Sequence, residues 1–302
     1  MNSIRIATRK SPLALEQAKL IKEKLLEAHS GISVELVEIT TKGDLILDKP
    51  LQAIGGKGLF IKELELALLE DRADIAVHSV KDLPYQLADG FCLPVIAYRE
   101  DPRDVLVTDL CTSFEDLPIG ARVGSTSLRR KAQLLGKRPD LEFVPIRGNV
   151  GTRIGKLDAG DCAAVVLAYA GLHRLNLLGR NFVSLSTDLC LPAAGQGALG
   201  VECLSGSQVI DLLEPLSDPM VEAAVLSERY LVESLQADCS SPVGAYAFQL
   251  EDGQIRLTGL VGSETGDKLI RSSAVAKTPR EVSDKVFADL CSMGSRDLLG
   301  HK

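Results

Sequence analysis

Along the first hundred residues the apolar positions switch repeatedly between a period of two and a helical period. Ile4-Arg5-Ile6-Ala7-Thr8 reads as a short strand. The Ser11-Pro12 step behind it is a helix start, a hydroxyl cap followed by proline at the first helical position. Ala14, Ala18, Ile21, Leu25 and Ala28 then recur at helical spacing. Residues 34–39 predict a second strand, 59–70 a second helix and 73–78 a third strand, which stops at Ser79-Val80-Lys81-Asp82-Leu83-Pro84. Strand and helix alternating in this order predict a parallel sheet with helices on its faces.

A second block repeats the theme. Residues 121–124 form a strand running into Ser125-Thr126-Ser127, and the next helix carries Arg129 and Arg130. A strand over 141–144, a helix over 150–159 and an apolar strand over 163–168 follow. In both blocks the first strand ends in hydroxyls and arginine at a helix start, which predicts two similar α/β lobes. The link lies near Tyr98-Arg99-Glu100-Asp101-Pro102-Arg103, and a strand over 198–203 returns the chain to the first lobe. From Ser217 the pattern changes to a long helix (219–235), three alternating strands (243–250, 254–261, 268–276) with Asp252-Gly253 as a hairpin turn, and a last helix (279–293). The expected domains are 1–99 with 198–216, then 100–197, then an α+β domain over 217–302.

Composition narrows the function. With 302 residues, 45% hydrophobic and 25% charged, the chain has material for two or three folded domains and is not mainly disordered. A net charge of −7 and 4% aromatics without Trp argue against a nucleic-acid partner, so any anion site must be a local gathering of Arg and Lys. Seven scattered cysteines with no C-x-x-C pair argue against a zinc ribbon or a disulfide framework. No signal-like N-terminus or membrane-length apolar run is evident, so a reducing cytosol is expected.

Two glycine motifs fail their context tests. Gly195-Gln196-Gly197-Ala198-Leu199-Gly200 leads into a strand rather than a helix, which makes it a tight interdomain turn rather than a dinucleotide fingerprint. Gly55-Gly56-Lys57-Gly58 lacks the hydroxyl that a P-loop places after its lysine. The four histidines form no H-x-x-x-H pair, so no catalytic metal is expected; His78, at a strand end, reads equally as functional or as a hydrogen-bonded structural residue.

The arginines are more informative. Arg9, Arg129, Arg130, Arg147, Arg153 and Arg174 fall at predicted strand ends or in first helical turns. In open α/β sheets those carboxyl ends line the ligand crevice. Ser11, Ser125, Thr126 and Ser127 add donors at helix N-termini, so the pattern suits a polycarboxylate or phosphate; the alternative is ordinary surface arginine. Asp82 at a strand edge is a candidate acid, base or cation-stabilising group, or else a loop or cap aspartate. Cys239, in the loop Ala237-Asp238-Cys239-Ser240-Ser241-Pro242, is a better nucleophile candidate than Cys162, Cys190 or Cys203 in apolar stretches.

These segments together resemble one family, porphobilinogen deaminase. The resembling stretches are 5–14, Gly55-Gly56-Lys57-Gly58-Leu59-Phe60, the run from Ala73 to Pro84, Ser127-Leu128-Arg129-Arg130, Arg147-Gly148-Asn149-Val150-Gly151-Thr152-Arg153 and the run from Leu191 to Gly197. The resemblance implies two α/β lobes like a periplasmic binding protein plus a smaller α+β C-terminal domain. It implies that four porphobilinogen molecules are deaminated and joined head to tail into hydroxymethylbilane, without a metal, in heme and other tetrapyrrole biosynthesis. The primer it implies is a dipyrromethane, thioether-linked to the cysteine that matches Cys239. Asp82 matches the catalytic aspartate, which would also contact the cofactor, and Lys81, Ser127, Arg129, Arg130 and Arg147 match cofactor-binding residues. Arg9, Ser11, Lys57, Phe60, Arg153, Arg174 and Gln196 match substrate-binding ones. The resemblance further implies a cytoplasmic monomer whose product passes to uroporphyrinogen-III synthase, with no membrane or nucleic-acid partner.

Two departures stand out. Ala237-Asp238 replace the family's glycine pair before the cysteine, and Ala53 with Ile54 replace a basic position before the Gly55-Gly56 pair. The alternative from another class is a non-enzymatic, two-lobed anion-binding protein. Such a protein has no use for a loop cysteine, and an acidic aldehyde colour test for pyrroles separates the two.

Overall fold

A computed structural model describes residues 3–41, 61–238 and 240–300, so Lys57, Phe60 and Cys239 lie outside the described residues. The chain divides into two compact units, residues 1–100 with 198–222 and residues 101–197 with 223–302.

The first unit is built on β1 (Ser3–Arg9), α1 (Pro12–Ala28), β2 (Ser33–Ile39), α2 (Lys62–Leu69), β3 (Ile75–Ser79), β4 (Phe91–Arg99) and the returning strand β10 (Ala198–Leu204). The apolar stripe of α1 buries Ala18, Ile21 and Leu25 against Ile4, Ile6, Val77 and Val201. Each such large aliphatic side chain contributes about 1.5–3 kcal/mol by leaving water. The sheet order is β2-β1-β3-β10-β4. β1 runs parallel to β2 and β3, whereas β10 is antiparallel to both β3 and β4. The sheet is therefore mixed rather than parallel. No crossover helix aligns β10, which arrives from a distant part of the chain.

In the second unit β5 (Asp104–Val107), β6 (Arg122–Gly124), β7 (Glu142–Val144), β8 (Ala164–Ala168) and β9 (Phe182–Ser184) form a sheet of order β7-β6-β8-β5-β9. β6 is parallel to β7 and β8, and β5 is antiparallel to β8 and β9. This repeats the layout of the first sheet, three parallel strands and then one reversed strand from across the chain crossing. Helices α3 (Leu128–Leu135), α4 (Val150–Asp158) and α5 (Tyr169–Arg174) follow β6, β7 and β8. Both lobes are α/β, as the alternation predicts.

The same unit holds an antiparallel sheet, β11 (Val243–Gln249), β12 (Ile255–Gly262) and β13 (Leu269–Ala276), with a helix over Pro279–Ser292 and all but the first turn of the helix over Pro219–Ser234, whose first residues belong to the first unit. The hairpin turns at Gly253, whose φ is +80°. The turn from β12 to β13 lies close against α3. Gly266 has φ +77°, and a Cβ there would drive into the Ala132 carbonyl oxygen. Among the described residues no helix is long and apolar enough to cross a membrane.

Candidate functional site

In the first unit, the parallel pairing of β1 with β3 puts Arg9 and Ser79 at one edge, the carboxyl end of the sheet. Ser11 caps α1, its Oγ accepting from the Ala14 N–H at 3.4 Å. The buried Thr8 hydroxyl donates to the Ala14 carbonyl at 3.0 Å, and the buried Gln17 amide donates to Ser79 Oγ at 2.7 Å. These bonds fix the start of α1 against the ends of both strands. Beyond Ser79 the chain makes a single 3-10 turn, Val80–Asp82. Val80 and Leu83 are buried on either side, which leaves Lys81 half-buried and Asp82 exposed at the edge.

One residue before Ser79, His78 Nε2 lies 2.8 Å from Glu202 Oε2 on β10, and both side chains are buried. Among the described residues Glu202 Oε1 has no hydrogen-bond partner. Burial, and then the neighbouring Glu202 carboxylate, raise the carboxyl of half-buried Glu65 above its ordinary value.

In the second unit the carboxyl edge carries the N-termini of α3 and α4. Ser127 caps α3, its Oγ accepting from the Arg130 N–H at 3.4 Å, and Asn149 caps α4, accepting from the Thr152 N–H at 2.8 Å. Gly148 precedes that cap at φ +112°, where a Cβ would stand 2.6 Å from the Thr152 methyl; glycine is required. Half-buried Arg147 and Arg153 flank the turn, and Arg153 Nε donates to the Gly148 carbonyl at 2.8 Å. Arg174, the last residue of α5, donates to the Gly197 carbonyl at 2.6 Å.

Arg129 and Arg130 point inward. Both are buried and both grip Asp104, which has no exposed surface: Arg129 Nη1 to Oδ2 at 2.7 Å, Arg130 Nη2 to Oδ1 at 2.6 Å. Arg129 also donates to the Leu191 carbonyl at 2.7 Å, and Arg130 to the Val166 carbonyl at 2.9 Å. Gln196 is fully buried too, and its amide donates to Asp104 Oδ1 at 2.9 Å and to the Pro102 carbonyl at 2.6 Å. Burial alone would raise the Asp104 carboxyl, but the two guanidiniums overcome it and hold the group well below the usual carboxylate range. Cys190 donates to Asp104 at 3.4 Å, and burial, then Asp104, pushes its thiol up to about 12.

Of the residues singled out by sequence, Arg9, Ser11, Lys81 and Asp82 share the first edge, and Ser127, Arg147 and Arg153 the second. Arg129, Arg130 and Gln196 form an internal network instead. Three acidic residues of these units escape sequence reasoning: Asp104, Glu202 and Glu228. Buried Glu228 accepts from the Gly195 N–H at 2.6 Å and the Ala247 N–H at 2.8 Å, which fastens the 195–197 turn to β11. A signal for Asp104 exists in its position, a charge opening the apolar run Val105-Leu106-Val107. Beside Cys239, the Asp238 carboxylate accepts from the Ser240 N–H at 2.8 Å and from the Ser241 hydroxyl at 3.2 Å. Among the described residues no group of His, Cys, Asp and Glu is placed to hold a metal ion.

Solved structures similar to the chain include the periplasmic VFT2 domain of Bordetella pertussis BvgS, at 16% identity and TM-score 0.42, covering 71% of this chain and 86% of that one. A probable amino-acid ABC transporter extracellular-binding protein, YtmK of Bacillus subtilis, is similar at 13% identity and TM-score 0.45, covering 71% and 90%. The periplasmic aliphatic sulphonate binding protein SsuA of Escherichia coli is similar at 15% identity and TM-score 0.42, covering 78% and 71%. Residues 4–211 match the family described as porphobilinogen deaminase, dipyromethane cofactor binding domain, and residues 223–291 match the porphobilinogen deaminase C-terminal domain. The two matches follow one another in chain order and leave only short stretches uncovered, and so the chain belongs to the porphobilinogen deaminase family.

Proposed function

We propose that the chain deaminates porphobilinogen and joins four molecules head to tail, releasing hydroxymethylbilane by hydrolysis. The observation that carries this reading is the Lys81–Asp82 turn, with Asp82 exposed and Lys81 half-buried, held at a sheet edge inside the segment that matches the dipyromethane-binding family. Asp82 accepts the pyrrole N–H and its negative charge offsets the positive charge left on the substrate as ammonia departs. Lys81 and Arg9 at that edge, and Ser127, Arg147 and Arg153 at the second unit's edge, supply donors for acetate and propionate groups. Helix N-termini add their positive dipole ends beside the same donors.

The residues present fit a polyanionic primer of the family's type. In this reading the dipyrromethane is thioether-linked to Cys239 and, when bound, supplies the nucleophilic end that is extended. Two guanidiniums stand against the single carboxylate of Asp104, which leaves surplus positive charge for a carboxylate of the primer. The reading keeps three domains, with 217–302 carrying the attachment cysteine. It also keeps a cytoplasmic monomer that hands its product to uroporphyrinogen-III synthase.

Protein purified from cells making porphobilinogen should carry a two-pyrrole adduct on Cys239 by intact mass and peptide mapping; active protein with an unmodified Cys239 defeats the assignment. Asp82→Asn, loaded with preassembled primer, should turn over about 100-fold more slowly or worse while still binding porphobilinogen, the scale of losing one key electrostatic group. Near-normal turnover removes Asp82 from the chemistry.

A further inference from the structure

We propose that Cys92 and Cys203 form a reversible disulfide, a thiol-modification site distinct from the residues assigned to pyrrole chemistry. Cys92 on β4 and Cys203 on β10 are direct partners in the antiparallel register. Their Sγ atoms stand 3.6 Å apart and share a hydrogen bond. Opposed residues on antiparallel strands have Cα atoms about 4.5–5.5 Å apart, inside the ~4.4–6.8 Å that disulfides span. Bond formation therefore asks for side-chain rotation and leaves the strands paired. The register also shifts between Val201 and Cys203, an irregularity that gives the strand local freedom at this point. Cys190, by contrast, is engaged with Asp104, and Cys291 accepts from the Ser295 hydroxyl.

The two sulfurs are unequal, which sets the order of events. Cys92 is partly exposed and Cys203 has no exposed surface. Burial, and then the hydrogen bond with Cys92, pushes the Cys203 thiol up to about 12. Cys92 is thus the entry thiol. Its thiolate attacks one sulfur of a low-molecular-weight disulfide, the oxidant, and expels one small thiolate. Cys203 passes its proton to that thiolate while its sulfur attacks the Cys92 sulfur and expels the second. Two protein thiols are oxidised to one disulfide, and one small disulfide is reduced to two thiols.

β4 is the strand on which the chain leaves the first unit and β10 the strand on which it returns. The bond closes the long excursion between them, and cross-links that close long loops restrict the unfolded chain most. The oxidised protein should melt higher by about 5–15 °C.

The test incubates the full-length protein with oxidised glutathione, blocks remaining thiols and digests without reduction using a protease that cuts after glutamate. Cleavage after Glu202 separates Cys203 from Cys190, and Pro215 protects the bond after Glu214, so fragments 71–100 and 203–222 should appear linked, lighter by two hydrogens, and part on reduction. Cys92→Ser should lose both the linked fragment and the rise in melting temperature. Glutathione retained on Cys92 as a stable adduct, a link through another cysteine, or full blocking of both thiols overturns the proposal.

Discussion

Each five-stranded sheet carries one fully buried carboxylate on its reversed strand, and the two are treated differently. Glu202 on β10 meets a single imidazole at 2.8 Å, and its other oxygen has no hydrogen-bond partner among the described residues. Asp104 on β5 receives Arg129, Arg130, the Gln196 amide and the Cys190 thiol. Removing a carboxylate from water costs several kcal/mol, and only convergent donors offset that cost. The equivalent strand has thus become a strongly charged joint in one unit and a thinly satisfied pair in the other. A shared topology fixes where a buried charge can sit; the neighbours decide how much hangs on it.

The sharpest way to break this comparison is to neutralise both carboxylates. Asp104→Asn strands two buried guanidiniums and should lower the unfolding free energy by about 3–5 kcal/mol, whereas Glu202→Gln should cost only about 1–2 kcal/mol. Urea unfolding of both variants decides it, and the reverse order would mean the His78–Glu202 pair is the stronger joint. A second measurement follows stability against pH. The Asp104 carboxyl is held low when folded, so the unfolded state binds more protons between the folded value and the ordinary ~3.9. Its contribution is full above about pH 5 and fades as pH falls through the folded value, so Asp104→Asn should show a flatter acid limb than the parent. On the alkaline side the Cys190 thiol, raised to about 12 when folded, favours the native state below the ordinary ~8.5 and progressively less above it. Cys190→Ala should therefore flatten the limb above pH 9. The smallest effects compare the two edges. Gly148→Ala should cost about 1–3 kcal/mol because of its left-handed backbone, and Ser11→Ala, a lost cap, about 1 kcal/mol; thermal melts of the pair rank them.

Long periodic segments were legible, because their packing partners are implied by their own pattern. α1, with its Ser11 cap and Pro12, runs over Pro12–Ala28, and the Asp252-Gly253 hairpin joins β11 to β12. The pattern does not predict β4, β5 or β9. β4 contains Pro94, while β5 and β9 are too short to display a period. Alternation along the chain predicts parallel sheets because local order says nothing about a strand that arrives from elsewhere. The arginines show the same limit. Arg129, Arg130, Arg147 and Arg153 look alike in sequence, but the first two turn inward onto Asp104, some 25 positions away, and the last two stay half-buried at the edge. Spacing along a helix start locates such side chains; it does not reveal which carboxylate they will find.

The insertion of β10 between β3 and β4 also has a consequence in time. Among the described residues β4 pairs only with β10, so when its last residue leaves the ribosome it lacks that partner in its own sheet. At roughly 5–20 residues per second, β4 waits on the order of 5–20 s for that partner. All five strands of the sheet between β5 and β9 are synthesised in the meantime. The middle of the chain therefore closes its sheet before the beginning does. In refolding, amide protection should appear first over Asp104–Val107 and Ala164–Ala168 and last over Phe91–Arg99, the strand a chaperone would find bare.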